Sequence, residues 1–358
     1  MYIFPAEPPH PPRINLALQG GGSHGAFTWG VLDALLADRR LSFDGISGAS
    51  AGAVNAVAVA HGFASHADPA ARRQGARDTL RKVWEGVAAM GSLGAMAQGV
   101  VRLLLGDWPR ASLGNQLLQN AMAPWMSPYQ MNPLDINPLR KLLADTIDFE
   151  GIARLDTPRV FVSATHVKTG RADLFSGSRL TLQAVMASAC LPTLFQAVEI
   201  DGEHYWDGGY SGNPALTPLV QHCASRDIVV VQINPLHRAE TPHTQQEILD
   251  RMNELTFNAS LVDQMRSIDF INRLIEEGRL QEGHGYKRLL LHRIDGGREL
   301  EQLPAFTKMA TDAAMIEHLF KLGHAAARHW LTAHFEALGR RSTINIRHDY
   351  VGPATGLD

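Results

Sequence analysis

Five residues, Gly48-Ala49-Ser50-Ala51-Gly52, constrain this chain more than any other stretch. An apolar run containing Phe43 and Ile46 ends there, and a small-residue helical pattern from Ala51 to His61 begins. A strand that gives way to a helix through Gly-x-Ser-x-Gly must turn sharply, which predicts Ser50 on the corner with its hydroxyl at the head of the helix. Gly48 and Gly52 leave room where a Cβ would crowd the turn or an approaching substrate. Alone the pattern carries little weight in a chain with 32 glycines.

A second motif upstream, Gly20-Gly21-Gly22-Ser23-His24-Gly25, follows a buried-strand run from Ile14 to Gln19. After it, Phe27, Val31, Leu32, Leu35 and Leu36 recur at helical spacing between Ala26 and Asp38. Bare backbone N–H groups at the positive end of a helix dipole stabilise an anion. That anion is either a bound phosphate or the oxyanion of a tetrahedral intermediate, and the residues alone allow both. Gly20, Gly22 and Gly25 satisfy Gly-x-Gly-x-x-Gly, so a dinucleotide-binding module using the Gly20–Gly25 loop is the alternative function. Such a module needs an acidic residue at the end of the next strand. Asp44 stands at that strand's beginning and the Ser50 turn occupies its end, which favours the hydrolase reading.

A third motif, Asp207-Gly208-Gly209, follows what reads as a hairpin turned at Asp201-Gly202. Asp-Gly pairs in turns are commonly conformational, so this one gains meaning only from its companions. Together the three, in this order, resemble the patatin-like phospholipase family from Asn15 to about Pro218. A fourth match is Ala187-Ser188-Ala189-Cys190-Leu191-Pro192-Thr193-Leu194-Phe195, similar to the family's small-residue helix end followed by proline and phenylalanine.

The resemblance implies a serine acyl hydrolase cleaving lipid or other carboxylic esters, on a three-layer α/β/α fold with a mostly parallel central sheet. It implies a Ser–Asp dyad, with Ser50 as nucleophile and Asp207 as general base, and no cofactor or metal. Gly20, Gly21 and Gly22 would form the oxyanion hole, each donor contributing about 3–4 kcal/mol. His24, Gly25, Gly48, Gly52, Gly208 and Gly209 would support these groups. An aspartate at its ordinary pKa of about 3.9 is a poor base toward a serine hydroxyl. The mechanism therefore requires that Asp207 be desolvated or tightly bonded to Ser50. One departure stands out: the family usually has arginine or lysine where this chain has His24, which predicts either weaker dependence on an anionic headgroup with a preference for neutral esters, or an ordinary loop residue without a role in specificity.

The remaining sequence sets bounds. With 33 basic and 36 acidic residues the formal charge is -3, and no basic block points to nucleic acid. Pro5, Pro8, Pro9, Pro11 and Pro12 make residues 1–13 an extended arm. The acyl hydrolase domain is expected over 14–340, with a mainly helical part from 237 and a tail at 341–358. Arginines and Lys82 give Ala70–Ala89 the look of a helix with one charged face. Within 90–131, methionines with Trp108 and Trp125 predict either an acyl-cleft wall or lid with peripheral membrane contact, or a core-packing helical pair. The first residues lack the layout of a signal peptide and no apolar run is long enough to span a bilayer, so the expected setting is cytoplasmic. Cys190 and Cys223 read as buried thiols.

Strands are expected at Arg159–Thr165, Ala172–Phe175, Asp227–Ile233 and Arg288–Ile294, alternating with helices as in a doubly wound sheet. Helices are expected at Leu180–Leu191, from Asn213-Pro214 to about Cys223, at Gln245–Leu280 and at Pro304–Ala337. His318, His324, His329 and His334 lack the i, i+4 spacing of a helical metal site. His237 and His292 are candidates for the third member of a rival Ser–Asp–His triad.

Overall fold

The strands line up in one eight-stranded sheet in the computed structural model of the chain. The structure describes residues 11–104, 127–238, 240–283, 285–303, 307–308 and 311–352, with backbone alone over 92–104 and at 131. The first part of the chain forms β1 (Arg13–Leu18), α1 (Gly25–Ala37), β2 (Ser42–Gly48), α2 (Ala51–Ser65) and α3 (Pro69–Leu104). Three short helices, α4 (Pro128–Met131), α5 (Pro138–Ala144) and α6 (Phe149–Ala153), lead to β3 (Arg159–His166) and β4 (Ala172–Phe175). Then come α7 (Leu182–Ser188), β5 (Val198–Ile200), β6 (Glu203–Asp207), α8 (Thr217–His222) and β7 (Asp227–Gln232). The last elements are α9 (Gln245–Glu276), β8 (Leu290–Asp295), α10 (Gly297–Glu301) and α11 (Ala313–His334).

The sheet order is β5-β6-β3-β2-β1-β7-β8, with β4 also on β3. From β3 to β8 the pairs are parallel, while β4, β5 and β6 add antiparallel pairs at one end. Every residue of β7 is buried, as a central parallel strand covered on both faces must be. Side chains alternate across β1: Ile14, Leu16 and Leu18 pack with α1, α2 and α11, whereas Ala17 joins Ile228 and Val230 against Leu261, Met265 and Ile268 of α9. Two apolar cores on opposite sheet faces make the three layers. All but one residue of α1 is buried, so this helix is apolar around its whole circumference. Its close crossing with α11 depends on glycines, since a Cβ on Gly30 would strike the Phe320 carbonyl and one on Gly323 the Phe27 carbonyl.

Several boundaries differ from expectation for local reasons. Helix α3 does not stop near Ala89 but runs on to Leu104, so the first part of the 90–131 stretch is its continuation. The wall or lid expected around Trp108 and Trp125 lies outside the described residues. Asn213-Pro214 does not open a helix: Asn213 spends its side chain on Gly20 and on the Phe257 carbonyl, and α8 begins at Thr217. The last helix begins at Ala313, capped by Asp312, rather than near Pro304. Residues 341–352 lie against the second core, where Ile346 and Tyr350 are buried and the Tyr350 hydroxyl donates to Gln232 Oε1 at 2.7 Å. Among the described residues no helix is long and apolar enough to cross a membrane.

Candidate active site

Strand β3 acts as the ruler that brings Ser50 and Asp207 together. Val162 pairs with Gly48 of β2 and with Phe175 of β4, so these two strands occupy opposite edges of β3. Ala164 pairs with Asp173 of β4 and with Asp207 of β6, which puts β6 on the same edge as β2. The ends of β2 and β6 therefore meet head to head along β3. Gly48 and Asp207 stand opposite residues only two positions apart.

Ser50 follows β2 with φ 53° and ψ -124°, a conformation a non-glycine residue holds only under constraint. The constraint is visible on three sides. A Cβ on Gly48 would run into the Gly52 carbonyl, and one on Gly52 into the carbonyl of Leu18, so the corner has no room for larger residues. The Ser50 N–H donates to Ser188 Oγ at 2.9 Å. Gly20 lies against the elbow, since a Cβ there would stand 2.6 Å from the Ser50 Cβ and 2.7 Å from the Ala49 carbonyl oxygen. Ser50 thus caps α2, where the helix dipole favours developing negative charge.

Asp207 has no exposed surface. Its backbone N–H donates to the Cys190 carbonyl at 2.8 Å, and its own carbonyl accepts from Thr165 Oγ at 2.7 Å. The Gly209 N–H donates to Oδ1 at 2.7 Å, which orients the carboxylate. Gly208 has no space for a side chain beside the Ser163 carbonyl, nor Gly209 beside the Phe257 ring. Burial pushes the Asp207 carboxyl up to about 7, against the opposing pull of the Ser50 hydroxyl and the Gly209 N–H. The Ser50 hydroxyl is close enough to favour the anion, yet among the described residues Oδ2 has no hydrogen bond of ordinary length and angle. Such a loose contact is common between a resting nucleophile and its base. The Asp207 carboxyl is thus withdrawn from water.

The glycine loop is held by buried amide side chains. Gly20 N–H donates to Asn213 Oδ1 at 2.6 Å, and the Gly20 carbonyl accepts from Asn234 Nδ2 at 2.8 Å. Gln19 ties this together, its Oε1 accepting from the N–H groups of Ile233 and Asn234, each at 2.9 Å, and its Nε2 donating to Asn258 Oδ1 at 3.1 Å. Gly20 N–H is thus occupied, whereas those of Gly21 and Gly22 have no hydrogen-bond partner among the described residues. Gly22 has φ +59°, and a Cβ there would strike the Lys308 carbonyl. Gly25 abuts Ala51 and the Trp84 ring.

His24 is buried and points away from any headgroup role. Its Nε2 lies 2.7 Å from Thr307 Oγ, and burial first, then Lys308 and Arg238, lower its pKa to about 3. It is a neutral packing residue. The dinucleotide alternative fares poorly: Asp44 is buried near the start of β2, accepting from the Ser225 N–H at 2.7 Å and lying 3.5 Å from Arg13. Among the described residues neither candidate third histidine is hydrogen bonded to Ser50 or Asp207. His292 Nε2 bonds Asp227 Oδ1 and its Nδ1 bonds Thr343 Oγ, each at 3.0 Å, so both ring nitrogens are engaged elsewhere. His237 lines a cavity of about 250 Å³ between the ends of β7 and β8, whose walls include neither Ser50 nor Asp207. Among the described residues no cluster of histidine, cysteine and carboxylates is arranged to hold a metal.

Four groups that were not among the expected site residues hold the site: Ser188, Asn213, Asn234 and Lys308. Only Ser188 had a local signal, its place in the small-residue segment before Pro192. Cys190, in the same segment, is a buried thiol pushed up to about 12 by burial and by Asp207, and its Sγ donates to the Gln196 carbonyl.

Residues 16–220, more than half of the chain, match the family model described as patatin-like phospholipase. No curated protein matches. Among solved structures, VipD from Legionella pneumophila is similar over 90% of this chain and 67% of its own, at 15% identity and a TM-score of 0.42, too distant a likeness to carry detail across. With the motif order, the sheet and the family match in agreement, the chain belongs to the patatin-like phospholipase family.

Proposed function

We propose that this protein hydrolyses lipid or other carboxylic esters through a Ser50–Asp207 dyad. The observation that carries the reading is a fully buried carboxyl, oriented by Gly209 and raised to about 7, beside a serine held at a left-handed corner. Ser50 Oγ attacks the ester carbonyl carbon as Asp207 takes its proton. The oxygen that gains the electron pair is held by the N–H groups of Gly21 and Gly22, with Gly20 fixing the loop against the elbow. Collapse of the tetrahedral intermediate expels the alcohol, which leaves with the proton from Asp207. Water then attacks the acyl-enzyme with Asp207 as base, restoring Ser50 and releasing the acid. A base with a pKa near the working pH suits this double role better than an ordinary aspartate.

A fluorophosphonate probe tests the reading. Wild type is expected to be labelled and to hydrolyse members of a lipid-class panel. Ser50→Ala is expected to lose labelling and at least about 10⁴-fold of kcat while remaining folded. Labelling that persists in Ser50→Ala would overturn the assignment. Because His24 is neutral and buried, neutral esters should be cleaved without a requirement for an anionic headgroup.

A further inference from the structure

We propose that Lys308 is a positioning residue for the glycine loop, acting through Asn234 to aim the Gly21 N–H. This rests on the ester-hydrolase reading above. Lys308 Nζ donates to Asn234 Oδ1 at 2.7 Å, and Asn234 Nδ2 donates in turn to the Gly20 carbonyl at 2.8 Å and to Gln19 Oε1 at 3.2 Å. An asparagine amide can sit with either end toward a neighbour. Lysine supplies only donors, so Oδ1 must face it, and Nδ2 is thereby turned toward Gly20. The Gly20–Gly21 peptide is trans, so its carbonyl and the Gly21 N–H point in opposite directions. Fixing the carbonyl on Asn234 directs that N–H away from Asn234 and leaves it free for a developing oxyanion.

The lysine is itself held firmly. Its backbone carbonyl lies against Gly22, and the preceding Thr307 accepts from Ser23 Oγ at 2.8 Å and bonds the His24 ring. Burial and Arg238 lower the Lys308 ammonium, Glu254 and Asp250 oppose this, and the balance near 8 keeps it charged at neutral pH. Glu254 is in turn paired with Arg238 and Arg251, so Lys308 stands at the edge of a partly buried charge cluster centred on that carboxylate. No step of the proposed chemistry uses this lysine directly.

Three variants and two readouts test the assignment. Lys308→Met removes the donor, Lys308→Arg restores one, and Asn234→Asp keeps an acceptor for Lys308 but loses the donor to Gly20. Lys308→Met and Asn234→Asp are expected to lower kcat by about 10–100-fold with KM changed less than about twofold, whereas Lys308→Arg recovers most of the loss. Hydrogen exchange of the segment spanning Gln19–His24, read without substrate, is expected to quicken in Lys308→Met and Asn234→Asp. If both fold and show wild-type kcat and exchange, the proposal is overturned. If exchange quickens as expected but wild type hydrolyses no ester and takes no fluorophosphonate, the hydrolase reading fails while the anchoring of the loop stands. Should Lys308→Met not fold, Lys308→Gln takes its place, since a glutamine amide can turn its oxygen to Asn234 and so no longer dictates which end of that amide faces Gly20: quickened exchange with lowered kcat supports the proposal, and wild-type values overturn it.

Discussion

Burying the Asp207 carboxyl raises its folded pKa above its unfolded one, and that carries a cost in stability. Between about pH 4 and pH 7 the folded protein binds a proton that the unfolded chain has released. Its contribution is therefore complete below the unfolded pKa and is lost as pH rises through the folded one, by on the order of 4 kcal/mol. Asp207→Asn is accordingly expected to be more stable than wild type by on the order of 2–4 kcal/mol at pH 8, with the gain vanishing near pH 4. Urea unfolding at the two pH values checks this, and an equal gain at both would contradict it. Ser188 makes a different kind of contribution. Its hydroxyl accepts the buried Ser50 N–H, so Ser188→Ala leaves a donor without a partner. A loss of about 1–3 kcal/mol is expected. Acylation should also slow, because the elbow loses a restraint. Unchanged pre-steady-state acylation in the folded variant would show that the restraint is redundant.

At the scale of elements, the close approach of α1 and α11 yields a sharp test. Gly323→Ala would drive a methyl into the Phe27 carbonyl. It should lower stability by about 1–3 kcal/mol, seen as a lower urea midpoint, while kcat of the folded enzyme stays unchanged. The same scale explains what the sequence could reveal. Strand β7 and helix α2 were legible because continuous apolar and small-residue runs are local signals. The Ser50 and Asp207 motifs were legible because tight turns demand glycine at fixed offsets. What joins them was not: the meeting of β2 and β6 on one edge of β3 is a matter of register, and no residue in either strand encodes it alone. Asn213, Asn234 and Lys308 were equally hidden: the first two reach the glycine loop, and Lys308 reaches Asn234, across long sequence separations with side chains that are unremarkable in their own neighbourhoods. Asn213-Pro214 even imitated a helix start while its amide was committed to Gly20.

For the molecule as a whole, the two ends of the chain divide the work. The N-terminal part and β6 carry the proposed Ser50–Asp207 dyad, whereas β7, β8 and the segments after them surround the buried Asp227–His292 pair and lend Asn234 and Lys308 to the glycine loop. Asp227 Oδ1 also accepts from the Gly339 N–H at 2.9 Å, tying the segment after α11 to the sheet. His292→Ala should thus destabilise the fold by about 2–4 kcal/mol but leave fluorophosphonate labelling of the folded protein intact. The central claim is that Asp207, and no histidine, takes the Ser50 proton. The pH dependence of the second-order rate of fluorophosphonate labelling tests it most directly, measured for wild type, Asp207→Asn, His237→Ala and His292→Ala. In the expected result the rate rises about tenfold per pH unit below about pH 7 and then levels off, identically in wild type and both histidine variants. Asp207→Asn loses both that limb and most of the rate. A limb that persists in Asp207→Asn, or one that disappears with either histidine, would contradict the account.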